Sequence, residues 1–125
     1  MKIEISNGEL IDKITILELK YKNIRNDEEK RKNVKVELDI LKESLRELNI
    51  NQDSELYKKL YEINSKLWNI EDDIRLKEKN KEFDEKFIEL ARSVYFTNDE
   101  RAKVKREIDV FTNSLIINEK SYEEY

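Results

Sequence analysis

The stretch from Leu56 to Ile74 reads LYKKLYEINSKLWNIEDDI and indicates an all-helical protein. Its aliphatic residues alternate at spacings of four and three positions, which places them on one face of an α-helix. They are Leu56, Leu60, Ile63, Leu67, Ile70 and Ile74. The stretch therefore predicts an amphipathic helix that extends to about residue 80, at about 40 Å the longest element of the chain.

Two similar series of apolar residues, which we call stripes, precede this helix. The first comprises Leu10, Ile14, Leu17, Tyr21 and Ile24, widened by Ile11, and the second comprises Val34, Leu38, Leu41, Leu45 and Leu48. Ser6 and Glu9 form a capping box, so the first helix should start near residue 7. Asn26 can cap the second helix. Because the interval between them is short, the two helices are expected to form an antiparallel hairpin.

Two further helices are predicted after the long one. Asp84 can cap a short fourth helix with the apolar set Phe87, Leu90, Ala91, Val94 and Tyr95. Thr97 and Glu100 form a second capping box, which would open a fifth helix. Its stripe is Val104, Ile108, Phe111 and Leu115. The pattern thus predicts an all-α antiparallel bundle of about five helices.

The two ends of the chain carry a different pattern. Ile3 and Ile5 alternate with polar residues, and Leu115 to Ile117 is the only apolar run near the end. These segments are expected to pair as a short β-ribbon that would place Lys120 and Tyr122 near the first helix. The prediction is one domain over residues 1–125, with an extended start at 1–6, a helical bundle at 7–115 and an extended tail at 116–125.

Composition narrows the classes of function. The chain has 29 acidic and 25 basic residues, interspersed, with a net charge of -4, so nucleic-acid binding and attraction to anionic membranes are not expected. It has no Cys and no His, which removes thiol nucleophiles, disulfides and most transition-metal sites. No cofactor or metal is predicted. The absence of a signal-peptide pattern and of a membrane-length apolar run favours a cytoplasmic protein.

The first candidate binding cluster lies on the predicted long helix. It comprises Trp68, Glu71, Asp72 and Arg75. Glu71 and Asp72 precede Arg75 by four and three positions, so they can share its guanidinium on one face. Adjacent carboxylates on a helix point about 100° apart, which is unfavourable for a magnesium site. Intrahelical salt bridges are the simpler interpretation.

The second candidate cluster surrounds the predicted start of the fifth helix. It comprises Tyr95, Asn98, Asp99, Arg101 and Lys105. A helix N-terminus with two cations one turn apart could bind a phosphate or carboxylate group. The simpler interpretation is that Thr97 and Glu100 cap the helix and leave no free N–H for a ligand.

Two known helical enzyme classes were compared with this pattern. All-helical nucleotide pyrophosphatases use an E-x-x-E pair followed by E-x-x-D. Here the only E-x-x-D joins Glu9 to Asp12 and the only E-x-x-E joins Glu82 to Glu85, so the order is reversed. A helical chorismate mutase, which uses Arg and Lys to hold a dicarboxylate, is a distant alternative.

Four segments together resemble one small family. They are GELIDKITILE at residues 8–18, LWNIEDDIR at 67–75, VYFTNDERA at 94–102 and EKSY at 119–122. The chain resembles an uncharacterised bacterial and viral family, a domain of unknown function, over nearly its whole length. The resemblance implies a single cytoplasmic domain and no particular activity.

Two functional hypotheses follow. The alternating spacing is typical of coiled-coil packing, and a long third helix exceeds what shorter neighbours can cover. We therefore expect a helical interaction module that forms a homodimer. The alternative is a small enzyme or binding protein for an anionic metabolite, anchored by Arg75, Arg101 and Lys105, with Glu71 or Asp72 as the acid-base group.

Overall fold

A computed structural model describes residues 1–125 and shows four α-helices and no strand. They are α1 (Asn7–Asn23), α2 (Glu28–Leu45), α3 (Glu55–Lys79) and α4 (Glu85–Phe111). The all-α prediction is confirmed. None of these helices is both long and apolar enough to cross a membrane.

Short polar side chains define where three of the helices begin. The Ser6 hydroxyl accepts a hydrogen bond from the Glu9 N–H at 3.1 Å, as the capping box predicted. Asp84 caps α4 in the same way, accepting from the Phe87 N–H at 3.0 Å. The second helix starts slightly later than expected, because Asp27 rather than Asn26 is its cap.

The prediction of separate fourth and fifth helices is wrong, because α4 continues unbroken through residues 97–100. Thr97 does not cap a helix; it lies in the interior of α4 and is 1% exposed. Capping residues mark a helix start only where the chain actually leaves helical geometry, and no Gly or Pro interrupts this stretch. Packing of the long α4 against α3 outweighs the capping preference.

Helix α1 lies at the centre of the molecule and packs against all three other helices. The core contains most of the predicted stripes of α1, α2 and α3 with Val104 and Ile108 of α4. Four stripe residues lie outside it: Tyr21, Ile24, Ile70 and Ile74. The core also contains Tyr57, which the stripe on α3 did not include. Phe111 and Leu115, assigned to the stripe of the last helix, are 61% and 87% exposed and stay outside it.

The direction of α1 follows from its polar contacts. Along α4, Glu9 contacts Lys105 and the later residue Asp12 contacts Arg101, so these contacts follow α1 and α4 in opposite directions. Along α3, Asp12 contacts Asn64 and the later residue Glu18 contacts Tyr57, so these contacts also follow α1 and α3 in opposite directions. A short connection at residues 80–84 makes α3 and α4 antiparallel to each other. One helix cannot run antiparallel to both, so α1 crosses the α3–α4 hairpin obliquely.

The α3–α4 hairpin extends beyond α1. The polar contacts of α1 with the hairpin are confined to Tyr57 and Asn64 of α3 and to the stretch of α4 from Arg101 to its C-cap Thr112. Farther along, the buried apolar residues Ile70 and Leu90 lie outside the main core cluster. We call residues 70–96 the free half of the hairpin.

The predicted terminal β-ribbon is absent. Residues 1–6 and 115–125 form neither helix nor strand. The two ends do meet, but through side chains: Ser114 Oγ accepts from the Asn7 N–H at 3.0 Å and Asn118 Nδ2 donates to Ser6 Oγ at 3.1 Å. Isolated two-stranded ribbons are marginal, and the polar ends offer a ribbon little apolar surface to bury. The expected placement of Lys120 near the first helix is also wrong, since its ammonium pairs with Asp99 of α4.

Candidate functional site

The crossing of α1 and α4 is unusually close at Gly8, the only glycine in the chain. The Gly8 N–H donates to Asp109 Oδ1 at 2.6 Å. A Cβ at this position would lie 2.3 Å from the carbonyl oxygen of Lys105. The absence of a side chain therefore lets the two helix backbones approach each other, which brings the polar groups of both helices into contact.

Asp12 is the buried centre of this crossing, with 1% of its surface exposed. Its Oδ1 accepts from Arg101 Nε at 2.9 Å and from Asn64 Nδ2 at 2.9 Å. Its Oδ2 accepts a second, short hydrogen bond from Arg101 Nη2. The guanidinium thus grips the carboxylate at both oxygens, the arrangement that makes Arg–carboxylate pairs strong and directional.

A second cation completes the polar cluster, which we define as Glu9, Asp12, Asn64, Arg101 and Lys105. Lys105 Nζ lies 2.6 Å from Glu9 Oε2 and 3.7 Å from Asp12 Oδ2. Two carboxylates therefore face two cations, and the cluster is electrically balanced. Asn64 also donates to Thr15 Oγ1 at 2.9 Å, which ties α3 to the same point on α1.

The ionisation of Asp12 reflects two opposing influences. Burial, the largest, raises its pKa, but hydrogen bonds from Arg101 and Asn64 and the nearby positive charges lower the pKa further than burial raises it. The net pKa of Asp12 lies below its usual value. The pKa of Arg101 is raised, mainly by its hydrogen bonds to Asp12. Both groups are therefore charged at neutral pH, as a stable ion pair.

The chemistry open to the polar cluster is limited by this pairing. A general base needs a carboxylate with a free lone pair and a pKa near the working pH, whereas Asp12 has a lowered pKa and partners at both oxygens. An anion site needs cations whose charge is not already balanced. The geometry is that of a structural clamp which holds α1, α3 and α4 together.

The first predicted cluster does not gather into a site. Glu71 and Arg75 form the expected surface pair, with Oε2 and Nε 3.1 Å apart and side chains 48% and 78% exposed. Asp72 is exposed and Trp68 is half-buried on α3. Neither Trp68 nor Asp72 shares a hydrogen bond or salt bridge with the second cluster.

The second predicted cluster divides between two environments. Arg101 and Lys105 point to α1, and Asn98 Oδ1 accepts from Arg101 Nη1 at 3.4 Å. Asp99 faces the opposite way and binds the C-terminal tail. The proposed N-terminal anion site does not form, because these residues lie inside a continuous helix whose N–H groups bond within it.

Several residues of the polar cluster were not identified from the sequence. Glu9 had been noted only in the capping box and, with Asp12, as an E-x-x-D pair, and Asn64 had not been noted as a candidate at all. One signal was available in Gly8, because a lone glycine in the first turn of a helix indicates a close backbone approach. Which helix approaches there depends on tertiary packing.

A separate shallow cleft of about 300 Å³ lies where α1 meets the start of α3. It is lined by Glu18, Gln52, Tyr57, Lys58, Tyr61 and Glu62. The Tyr57 hydroxyl donates to Glu18, and burial together with this bond raises the pKa of Tyr57. No group of three His, Cys, Asp or Glu side chains is placed to hold a metal ion.

The comparisons with known proteins identify a family but no activity. No curated protein and no solved structure matches the chain significantly. One family profile does match, and it covers residues 1–125. This agrees with the resemblance found in the sequence segments. The chain belongs to DUF6165, a family of unknown function.

Proposed function

We propose that the protein is a helical interaction module that forms a homodimer through the free half of the α3–α4 hairpin. The observation that carries this proposal is a group of large apolar side chains left in solvent there. Leu76 and Phe83 are each 56% exposed, Ile88 is 49% exposed, Tyr95 42% and Phe96 40%. A concentration of exposed apolar residues on one projecting element is typical of a protein-binding surface.

The charges around this surface favour a second copy as the partner. Lys77 pairs with Glu82 and Asp84 at 3.0 and 2.9 Å, and Lys86 lies near Glu89 at 3.8 Å. Positively and negatively charged side chains are therefore interspersed along the free half. A two-fold interface places a surface against itself, so a surface of mixed sign can be complementary to its own copy, whereas a surface of one sign would repel it.

The alternative of an anionic-metabolite site has less support. Arg101 and Lys105 are balanced by Asp12 and Glu9, and Arg75 projects into solvent from α3 beside Glu71. The three proposed anchors therefore do not converge on one ligand. Convergence of side chains from different elements is what distinguishes a binding site from isolated salt bridges.

Two finer expectations accompany the main proposal. Coiled-coil-like packing of the dimer is supported by the alternating four and three spacing on α3. Residence in the cytoplasm is supported by the lack of Cys, since proteins of oxidising compartments commonly use disulfides.

Sedimentation equilibrium of the wild type and of Ile88→Lys tests the proposal. A lysine at the centre of an apolar interface should raise the dimer dissociation constant about tenfold or more, because the charge must be desolvated. The matched control is Val36→Lys on α2, where the side chain is 53% exposed and lies outside the proposed interface. Circular dichroism checks that both variants are folded.

The control should dimerise like the wild type. A wild type that sediments as a monomer at micromolar concentration, or equal weakening by both substitutions, would contradict the proposal.

A further inference from the structure

The C-terminal tail (residues 116–125) follows the surface of α4 back toward its start. The Asn118 N–H donates to Asp109 Oδ2 at 3.3 Å, and Glu119 pairs with Arg106 at 3.1 Å. Lys120 Nζ then lies 3.0 Å from Asp99 Oδ1. Successive tail residues therefore contact positions progressively nearer the N-terminus of α4.

The tail ends on an aromatic pair. The Tyr125 hydroxyl donates to Asp99, and its ring centroid lies 5.4 Å from that of Tyr95 and 4.9 Å from that of Phe96. The contact with Phe96 is edge-on, a favourable aromatic geometry. We call Tyr95, Phe96, Asp99 and Arg106 the tail dock. Each group of the tail dock has a partner in the tail. The Asp99 carboxylate binds the Lys120 ammonium, the Arg106 guanidinium binds the Glu119 carboxylate, and the two rings contact the ring of Tyr125.

The docked tail lies on the surface, and its contacts are weak enough for it to dissociate. Tyr122 is 79% exposed and Tyr125 is 74% exposed. The ion pair of Arg106 with Glu119 is also exposed, at 52% and 68%. Exposed pairs of this kind hold a segment weakly, and a terminal segment without secondary structure opens at little cost.

The tail dock adjoins the proposed dimer surface. Ile88, Tyr95 and Asp99 are separated by seven and four positions, so they lie along one face of α4. The tail ends over Tyr95 and Phe96, the part of the exposed apolar surface nearest the core. A second copy that packs along this face must therefore displace Tyr125 from these two rings.

We infer that the tail dock is a binding site for the chain's own C-terminal segment, and that the docked tail competes with a second copy for the aromatic end of the dimer surface. The competition rests on the proposed function, whereas the docking does not. Because the tail is covalently attached, its effective concentration is high and it limits self-association. Release of the tail exposes the complete apolar face.

Carboxypeptidase digestion of the chain of residues 1–125, followed by mass spectrometry, tests the docking. Asp99→Ala removes the acceptor on α4, and Lys120→Ala removes the donor on the tail. Each should speed the release of Tyr125 by about two- to fivefold, the range for loss of an exposed ion pair. The matched control is Asp39→Ala on α2, which also removes an exposed carboxylate paired with a lysine, Lys35 at 2.7 Å, but lies outside both the tail dock and the free half of the hairpin. Equal rates in all four proteins would overturn the inference.

Sedimentation equilibrium of the same four proteins tests the competition. Both tail-releasing variants should dimerise more tightly by a similar factor, while Asp39→Ala should match the wild type. Faster digestion with an unchanged dimer dissociation constant would overturn the competition and leave the proposed dimer standing. If every variant is monomeric, the proposed function fails together with the competition, and the digestion rates still decide whether the tail docks.

Discussion

At the scale of single residues, the buried Asp12 carboxylate is the most consequential group in the molecule. Charged side chains are seldom fully buried unless they are paired. Here Arg101 binds both oxygens, and Asn64 fills a remaining acceptor position. Removing one partner of such a pair leaves the other uncompensated in a poorly hydrated site, and this, rather than the net energy of the intact pair, makes the residue sensitive to substitution.

Substitution of Asp12 should destabilise the protein strongly. Asp12→Ala leaves Arg101 without its partner, at an expected cost of about 3 kcal/mol in the free energy of unfolding. Removing one partner of a buried pair typically costs about 3 to 5 kcal/mol. We expect the low end of this range because the Arg101 side chain is 28% exposed and retains some access to water. Urea denaturation followed by circular dichroism measures the change.

The control for this substitution is Glu71→Ala, which also removes a carboxylate paired with an arginine. The Glu71–Arg75 pair is in solvent, so its loss should change the free energy of unfolding by about 0.5 kcal/mol or less. Similar losses of unfolding free energy in Asp12→Ala and Glu71→Ala would show that burial of Asp12 does not determine how much it contributes to stability.

The contribution of Asp12 should depend on pH in a defined direction. Its pKa is lower in the folded protein than the usual value for an aspartate, so the ionised form is favoured by folding. This stabilisation is complete above the unfolded pKa and is lost as the pH falls through the folded pKa. The stability difference between the wild type and Asp12→Asn, measured by urea denaturation, should therefore shrink below about pH 4. A difference that grows on acidification would contradict the account.

At the scale of helices, the crossing of α1 and α4 depends on the absence of a side chain at Gly8. The Gly8 N–H donates a hydrogen bond to the Asp109 carboxylate. The neighbouring residues Glu9 and Lys105 belong to the polar cluster and contact each other. The site is therefore a consequence of how closely two helices approach.

Gly8→Ala should separate these helices. The added methyl group would meet the Lys105 carbonyl at 2.3 Å and Asp109 Oδ1 at 2.8 Å, and backbone atoms cannot move aside cheaply. We expect a loss of about 1 to 3 kcal/mol in the free energy of unfolding, typical of overpacking. Thermal denaturation of Gly8→Ala beside Ser65→Ala, a half-buried position on α3, measures it. An unchanged melting temperature for Gly8→Ala would refute the close crossing.

The sequence predicted the helices better than it predicted their contacts. Most of the apolar stripes of α1, α2 and α3 and the cap at Ser6 were correct because periodicity and capping are local properties. The break at Thr97 was wrong because its capping pattern occurs inside a helix that packing against α3 keeps continuous.

The candidate site was only partly predictable for a similar reason. Arg101 and Lys105 were identified from their spacing, but their partners Asp12 and Glu9 lie about 90 positions away in sequence. The oblique crossing that joins them is a tertiary feature. The terminal ribbon failed because a short alternating pattern has no strand partner specified in the sequence.

At the scale of the whole molecule, a well-packed half and a projecting half have different roles. Around α1, Arg101 and Lys105 are paired with Asp12 and Glu9, and the core residues of all four helices are buried. In the free half of the hairpin, large apolar side chains such as Phe83 and Ile88 remain in solvent. This division supports a stable scaffold that presents one surface to a second copy.

The most direct test of this central claim is a dilution series followed by ¹³C-methyl NMR of the isoleucine side chains. Ile88 lies on the proposed interface, and Ile40 on α2, which is 62% exposed, is the internal control. The account predicts that the Ile88 methyl resonance shifts with protein concentration along the same curve as the molecular mass, while the Ile40 resonance stays constant. An Ile88 resonance that does not change with concentration, or equal shifts at both residues, would contradict dimerisation through the free half of the hairpin.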